Sequence, residues 1–196
     1  MQETIILKDL IKEPLQENLQ TLFNHLGRYY YAIKKLNINK NDTILDIGCG
    51  QGYGSYLLSQ YADEVYGLDL NRNFVKYAYD NFKKDNIHFL QYLELGEIPC
   101  HNKCICIETI EHLNKNEVER FIVKILIKLK NTGQLYLTFP IGKNKPSEYN
   151  PYHKCEPSID FVYNIVKKYF KKIEIEIDNF ENNYGHYQDY CILVAR

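Results

Sequence analysis

The sequence predicts an α/β fold, a doubly wound sheet covered by helices. Three observations carry this. Apolar strand-like runs alternate with amphipathic helical stretches from residue 43 to residue 170. The first run leads directly into a glycine turn and a helix. Two alternating runs joined by a short loop close the chain, as antiparallel neighbours do.

Residues 1–40 read as helical. Leu7, Leu10, Ile11, Leu15, Leu19, Leu22, Phe23 and Leu26 recur three and four apart, Pro14 interrupts them, and Tyr29, Ala32, Ile33 and Leu36 continue the pattern. They are expected to form an N-terminal helical cap before a main domain over 41–196. A strand at 43–47 meets Gly48, Gly50, Gly52 and Gly54, and a helix follows at 55–60. The second strand, 64–70, carries Asp69 near its end. Asn71 can cap a helix over 71–84 with Phe74, Val75, Ala78, Tyr79 and Phe82 as its stripe. A third strand is expected at 86–90. The continuous apolar run 103–107 suits a strand covered on both faces. The pattern predicts a helix over 114–130, with Val118, Phe121, Ile122, Ile125, Leu126 and Leu129 inward and an end near Gly133. A fifth strand falls at 134–139. Residues 140–157 hold four prolines and form the longest loop, a length that often marks function. Ser158 can cap a helix over 158–170. Ile173, Ile175 and Ile177 alternate as in a half-buried strand, and 187–194 is the last strand.

A chain of 196 residues is one domain with enough length for a sizeable core. Its hydrophobic share of 45% and charged share of 25% are ordinary for a soluble protein. A net charge of −1 offers no broad field for nucleic acid or a membrane surface. No apolar run reaches spanning length and the first residues lack a signal pattern, so the expected location is the cytoplasm. The six cysteines include no C-x-x-C pair, so neither a zinc ribbon nor a thioredoxin-like site is supported. Cys104 and Cys106 read as small hydrophobes within a strand.

Ligands of such sheets lie outside the carboxyl ends of the strands. The glycine turn and Asp69 occupy those ends. The dinucleotide fingerprint G-x-G-x-x-G/A fails here, because its third position falls on Tyr53 counted from Gly48 and on Ser55 counted from Gly50. Asp46, two before the first glycine, would repel a pyrophosphate and suits a cationic group. Asp69 can accept both hydroxyls of a ribose. A ligand with an amino-acid cation, a ribose and no phosphate satisfies both acids, and S-adenosylmethionine is such a ligand.

With Asp46-Ile47-Gly48-Cys49-Gly50-Gln51-Gly52, Val65-Tyr66-Gly67-Leu68-Asp69-Leu70, Ile107-Glu108-Thr109-Ile110-Glu111-His112-Leu113 and Asn150-Pro151-Tyr152-His153, the chain resembles the class I S-adenosylmethionine-dependent methyltransferases. The resemblance covers about residues 25–195. It implies a Rossmann-like seven-stranded sheet with an antiparallel last strand. It implies that Asp46, Gly48, Cys49 and Gly50 surround the methionine part, that Asp69 and Leu70 meet the ribose side, and that Glu94 caps the adenine amine. The segment around Glu94 is about one residue longer than the family pattern. His25-Leu26-Gly27-Arg28-Tyr29 resembles a stretch of bacterial relatives that modify sugars and surface glycans, which puts Tyr29 or Arg28 near the cofactor; the alternative makes Arg28 a surface charge.

Glu108, Glu111 and His112 follow the fourth strand. Methyl transfer to a hydroxyl needs positioning and a base, and His112 has a suitable intrinsic pKa, though a histidine there can also cap or pack. E-x-x-E-H resembles a divalent-metal pattern of small-RNA 2′-O-methyltransferases and ubiquinone-pathway O-methyltransferases. Glu108, Glu111, His112 and His153 would then hold Mg or Mn. His153 and Tyr152 are expected to line an acceptor pocket, and Tyr184, His186 and Tyr187 are further candidates. The expected function is methyl transfer to an oxygen of a small or sugar-like acceptor, for instance in surface-glycan synthesis, with His112, His153 and Glu108 catalytic. The alternatives are a metal-dependent RNA 2′-O-methyltransferase, argued against by the charge, and a non-catalytic cofactor-binding subunit. The oligomeric state is left open.

Overall fold

Strand β1 (Thr43–Ile47) is the sheet's hydrophobic centre in the first half of the chain, with Ile44, Leu45, Asp46 and Ile47 all buried. The structure, a computed structural model, describes residues 19–181 and 187–196. The remaining parts of the helical reading over 1–40, residues 1–18, lie outside the described residues. The chain divides into two compact units, 1–96 and 97–196.

The first unit runs α1 (Leu19–Lys35), β1, α2 (Tyr53–Ser59), β2 (Glu64–Asp69), α3 (Arg72–Phe82) and β3 (Ile87–Gln91), then a 3-10 turn at Tyr92–Gly96. β1 pairs with β2 and β2 with β3, both parallel. Asn71 caps α3 as expected, its side-chain oxygen accepting from the Asn73 N–H at 3.0 Å.

The second unit runs β4 (His101–Ile107), a 3-10 turn (Ile110–His112), α4 (Lys115–Leu126), β5 (Leu129–Pro140), α5 (Ile159–Val166), β6 (Ile173–Glu181) and β7 (Tyr187–Ala195). β4 and β5 are parallel, whereas β7 is antiparallel to both β5 and β6. The sheet has seven strands in the order β3-β2-β1-β4-β5-β7-β6. Cys104, Ile105 and Cys106 are fully buried, as a strand covered on both faces requires. Ser158 caps α5 by accepting from the Phe161 N–H.

Two expectations fail. The helix expected over 114–130 ends at Leu126, and Gly133 does not stop it. Leu129 already pairs with His101, and the next register pair is Gln134 with Lys103. Residues 130–133 therefore bulge out opposite Asn102. Gly133 serves the bulge, since a Cβ there would lie 2.9 Å from the Lys130 carbonyl oxygen. On β6, Ile175 is 36% exposed and Ile177 61% exposed, so the alternating isoleucines do not face a core. β6 is last in the strand order, where only one neighbour covers it.

Candidate functional site

In the first unit the site is built on the loop after β1. Gly48, Gly50 and Gly52 have φ of 76°, 53° and 89°. The glycines do different work. A Cβ on Gly52 would sit 2.5 Å from the Ala78 Cβ and 2.9 Å from the Phe89 ring, and one on Gly54 only 2.0 Å from the Tyr29 ring. These two let α3, β3 and α1 close on the loop. A Cβ on Gly50 would meet nothing within 4 Å. Gly50 combines a left-handed backbone with open space, the arrangement a ligand lying on the chain needs.

Asp69 ties the loop to the end of β2. Its Oδ2 accepts from the Gly50 N–H at 3.0 Å and its Oδ1 from the Asn71 N–H at 2.7 Å. Each oxygen has a second lone pair for a donor such as a ribose hydroxyl. Leu70 beside it is 66% exposed, a large apolar side chain open at the strand end. The Glu94 Oε2 accepts from the Gln91 N–H at 2.7 Å, closing the turn after β3.

Asp46 lies beneath the loop, fully buried. The Tyr29 hydroxyl donates to it at 3.1 and 3.3 Å, and the Ser55 hydroxyl at 2.6 Å. Burial pushes its carboxyl up to about 7, against the lowering effect of the Ser55 and Tyr29 bonds. Burial also lifts the Tyr29 phenol and the Cys49 thiol well above their usual ranges, and the Asp46 charge adds to both. Cys49 is therefore a packed thiol rather than a nucleophile. Arg28 is buried too, so it is not a surface charge.

The sequence reading passed over Ser55 and Gln51. Ser55, two residues into a helix, carried no signal that its hydroxyl holds Asp46. The Gln51 Oε1 is buried and meets no hydrogen-bond partner. The open space over Gly50 and this buried acceptor both fit a ligand bearing donors, and S-adenosylmethionine bears them.

The second unit carries the acidic–histidine cluster at the end of β4. Glu108 has φ of 48°, a strained value for a non-glycine residue. Its N–H donates to the Thr138 carbonyl at 3.2 Å, and its carboxylate accepts from the Thr138 hydroxyl at 2.8 Å. Ligand atoms of Glu111, His112 and His153 lie within 4.8 Å of one another, and Glu108 is not in that group. Glu111 and His153 are buried, whereas His112 is exposed.

Both imidazoles are anchored through Nδ1. The His112 Nδ1 is 3.0 Å from the Tyr152 carbonyl oxygen, which can only accept, so Nδ1 is the donor there. The His153 Nδ1 is 2.9 Å from a Glu156 carboxylate oxygen. Burial works to raise the Glu156 carboxyl, but bonds from His153, Ser147 and Gln188 outweigh it and hold it below the usual range. The rings meet edge to face, 5.2 Å between centroids. The loop is less irregular than expected. Its arms bridge at Lys145 and Glu156, and the Cys155 N–H donates to the Glu111 carbonyl at 3.1 Å, which brings His153 to the cluster. Asn150 shapes the turn by accepting from the Tyr152 N–H. Tyr184 and His186 lie outside the described residues, and Tyr187 opens β7.

A family model described as mycolic acid cyclopropane synthetase matches residues 24–189. The chain belongs to the mycolic acid cyclopropane synthetase family. This family is one of S-adenosylmethionine-dependent methyltransferases, as the sequence resemblance implied. The chain is 26% identical over 140 residues to sphingolipid C9-methyltransferase 1 of Gibberella zeae, covering 67% of this chain and 26% of that protein. It is 28% identical over 148 residues to a cobalt-precorrin-6B C(15)-methyltransferase (decarboxylating) of Methanococcus maripaludis, covering 72% and 76%. The chain spans between a quarter and a third of the length of the sphingolipid C9-methyltransferases it matches. In fold, this family member is similar to magnesium protoporphyrin IX methyltransferase from Synechocystis with bound SAH, with a TM-score of 0.68 at 14% identity over 100% of this chain and 95% of that one. No helix among the described residues is long and apolar enough to cross a membrane.

Proposed function

We propose that the chain transfers the methyl group of S-adenosylmethionine to a small-molecule acceptor, with the first unit holding the cofactor and the second handling the acceptor. The observation that carries this reading is the Gly50 N–H donated to Asp69, beneath open space on a left-handed backbone. Asp69 is assigned the ribose hydroxyls, Leu70 the flank of the adenine, and Glu94 the adenine amine through its second oxygen. Gly48, Cys49 and Gly50 supply backbone to the methionine part, and Asp46 with Tyr29 supports it from below. When bound, the cofactor supplies an activated methyl group on a sulfonium.

On the acceptor side, the finer reading is transfer to an oxygen, as on a sugar-like molecule. The His112 Nε2 would take the hydroxyl proton as the oxygen lone pair forms the new C–O bond and the methyl–sulfur bond breaks, its electron pair staying on the sulfur of SAH. Its Nδ1–H bond to Tyr152 holds the ring. His153, oriented by Glu156, presents a second imidazole, and Glu108 positions the strand end through Thr138. As the alternative to His112 acting as base, a divalent cation such as Mg or Mn would be held by Glu111, His112 and His153 and would itself lower the hydroxyl pKa. Donor atoms around such an ion lie within roughly 4.3 Å of one another, so the cluster would have to tighten.

The name of the sphingolipid C9-methyltransferase favours a second reading, transfer to a carbon of a lipid. One experiment separates these. Labelled cofactor is incubated with the protein and cell extract, and label is followed into lipid and water-soluble fractions. Label in a water-soluble product separated from the cofactor supports the first reading, and label in a lipid product the second. His112→Ala should lower turnover about 100-fold while leaving SAH affinity within about twofold. Tight SAH binding with label in neither fraction would replace both readings by a non-catalytic subunit. Turnover unchanged by chelation would remove the metal.

A further inference from the structure

We infer that Gln51 is a cofactor-binding residue, and that its carboxamide reads the amino-acid end of S-adenosylmethionine. The inference rests on the cofactor reading of the glycine loop. Gln51 stands at the crest of the turn between Gly50 and Gly52, both left-handed. It is 4% exposed, and its Oε1 is buried without a hydrogen-bond partner. A side chain that polar is normally paired when buried, since proteins leave few such atoms unmatched. The two carboxylates that hold the loop are matched. Asp46 accepts from Tyr29 and Ser55, and Asp69 accepts from Gly50 and Asn71. Gln51 alone among these three holds an acceptor with nothing donated to it.

The chemistry of the ligand selects what donates. Adenosine presents two ribose hydroxyls, which Asp69 suits, and an adenine amine, which falls to Glu94 beyond β3. The amino-acid end presents an ammonium and a carboxylate side by side. A carboxamide has one acceptor and two donors, and a half-turn of the amide exchanges them, so it can meet either member of that pair. It does so without a charge of its own. A carboxylate at this crest would add to Asp46 and Asp69 and repel the ligand carboxylate.

The test compares two ligands by calorimetry. SAH carries the amino-acid end; methylthioadenosine has the same adenosine and thioether without it. Gln51→Ala should weaken SAH about 10- to 100-fold, the range of a hydrogen bond to a charged group, and leave methylthioadenosine within about twofold. Gln51→Met, which keeps the length and removes the polar atoms, should behave the same way. Apo melting of Gln51→Met should stay at or above wild type, because a buried acceptor without a partner is removed. Unchanged SAH affinity in both variants overturns the inference, as does equal weakening of both ligands. Wild-type protein that binds neither ligand overturns the cofactor reading itself, a result distinct from failure of Gln51.

Discussion

Asp46 and His101 are buried titratable groups whose effects on stability oppose each other. The Asp46 carboxyl is raised from 3.8 to about 7 by burial. Between pH 4 and 7 the unfolded chain loses this proton while the folded chain keeps it, so stability falls as pH rises, by roughly 4 kcal/mol in all. Burial, aided by Lys128 and Lys130, lowers His101 from 6.5 to about 4. There the unfolded state binds the extra proton, so stability rises between pH 4 and 6.5, by roughly 3 kcal/mol. Wild type should look nearly flat in urea midpoint from pH 4.5 to 6.5. Asp46→Asn should unmask a rise with pH, and His101→Gln a fall. Parallel profiles in all three proteins would contradict both burial effects. The place of Asp69 at the end of β2, beside the glycine loop, was readable because strand-end position is local. The burial of Asp46 under Tyr29, 17 residues away in sequence, was not, because only tertiary packing creates it.

Among elements, the contact of α1 with α2 is the tightest constraint on the loop. Alanine at Gly54 would gain about 1 kcal/mol of helix propensity. Its Cβ would also sit 2.0 Å from the Tyr29 ring, an overlap that typically costs about 1–3 kcal/mol. Because the ring is pinned to Asp46, the overlap should win. Gly54→Ala should lower the urea midpoint and weaken SAH binding; a stabilised variant would show that α1 yields freely. Period and capping placed most elements within a few residues, since Asn71 and Ser158 act through neighbouring backbone. α4 was overextended because Leu129 continues a helical spacing, and its partner His101 is 28 residues earlier. The alternation in β6 read correctly as a strand but not as to its open face, which depends on strand order.

For the molecule as a whole, assigning the cofactor to residues 1–96 and acceptor chemistry to 97–196 predicts a separation of phenotypes. SAH at a hundred times its Kd should stabilise the protein by about 2.7 kcal/mol, raising Tm by roughly 5–10 °C for a chain of this size. His112→Ala and His153→Ala should keep that shift, and Asp69→Ala should lose most of it. A lost shift in the histidine variants would end the division of labour. The fold was legible because strand–helix alternation is written locally; the pairing of His112 with His153, 41 residues apart, was suggested by motif and needed the folded loop. The rim strand β6 has a consequence for how copies of the chain behave together. A net charge of −1 gives little mutual repulsion. Ile175 and Ile177 lie open on a terminal strand, and Glu174, Glu176 and Asp178 alternate with them. Acidic side chains on an open edge strand oppose its pairing with a second copy, and Glu176 and Asp178 are placed for this effect; Glu174 is itself paired with Lys172 and Arg196.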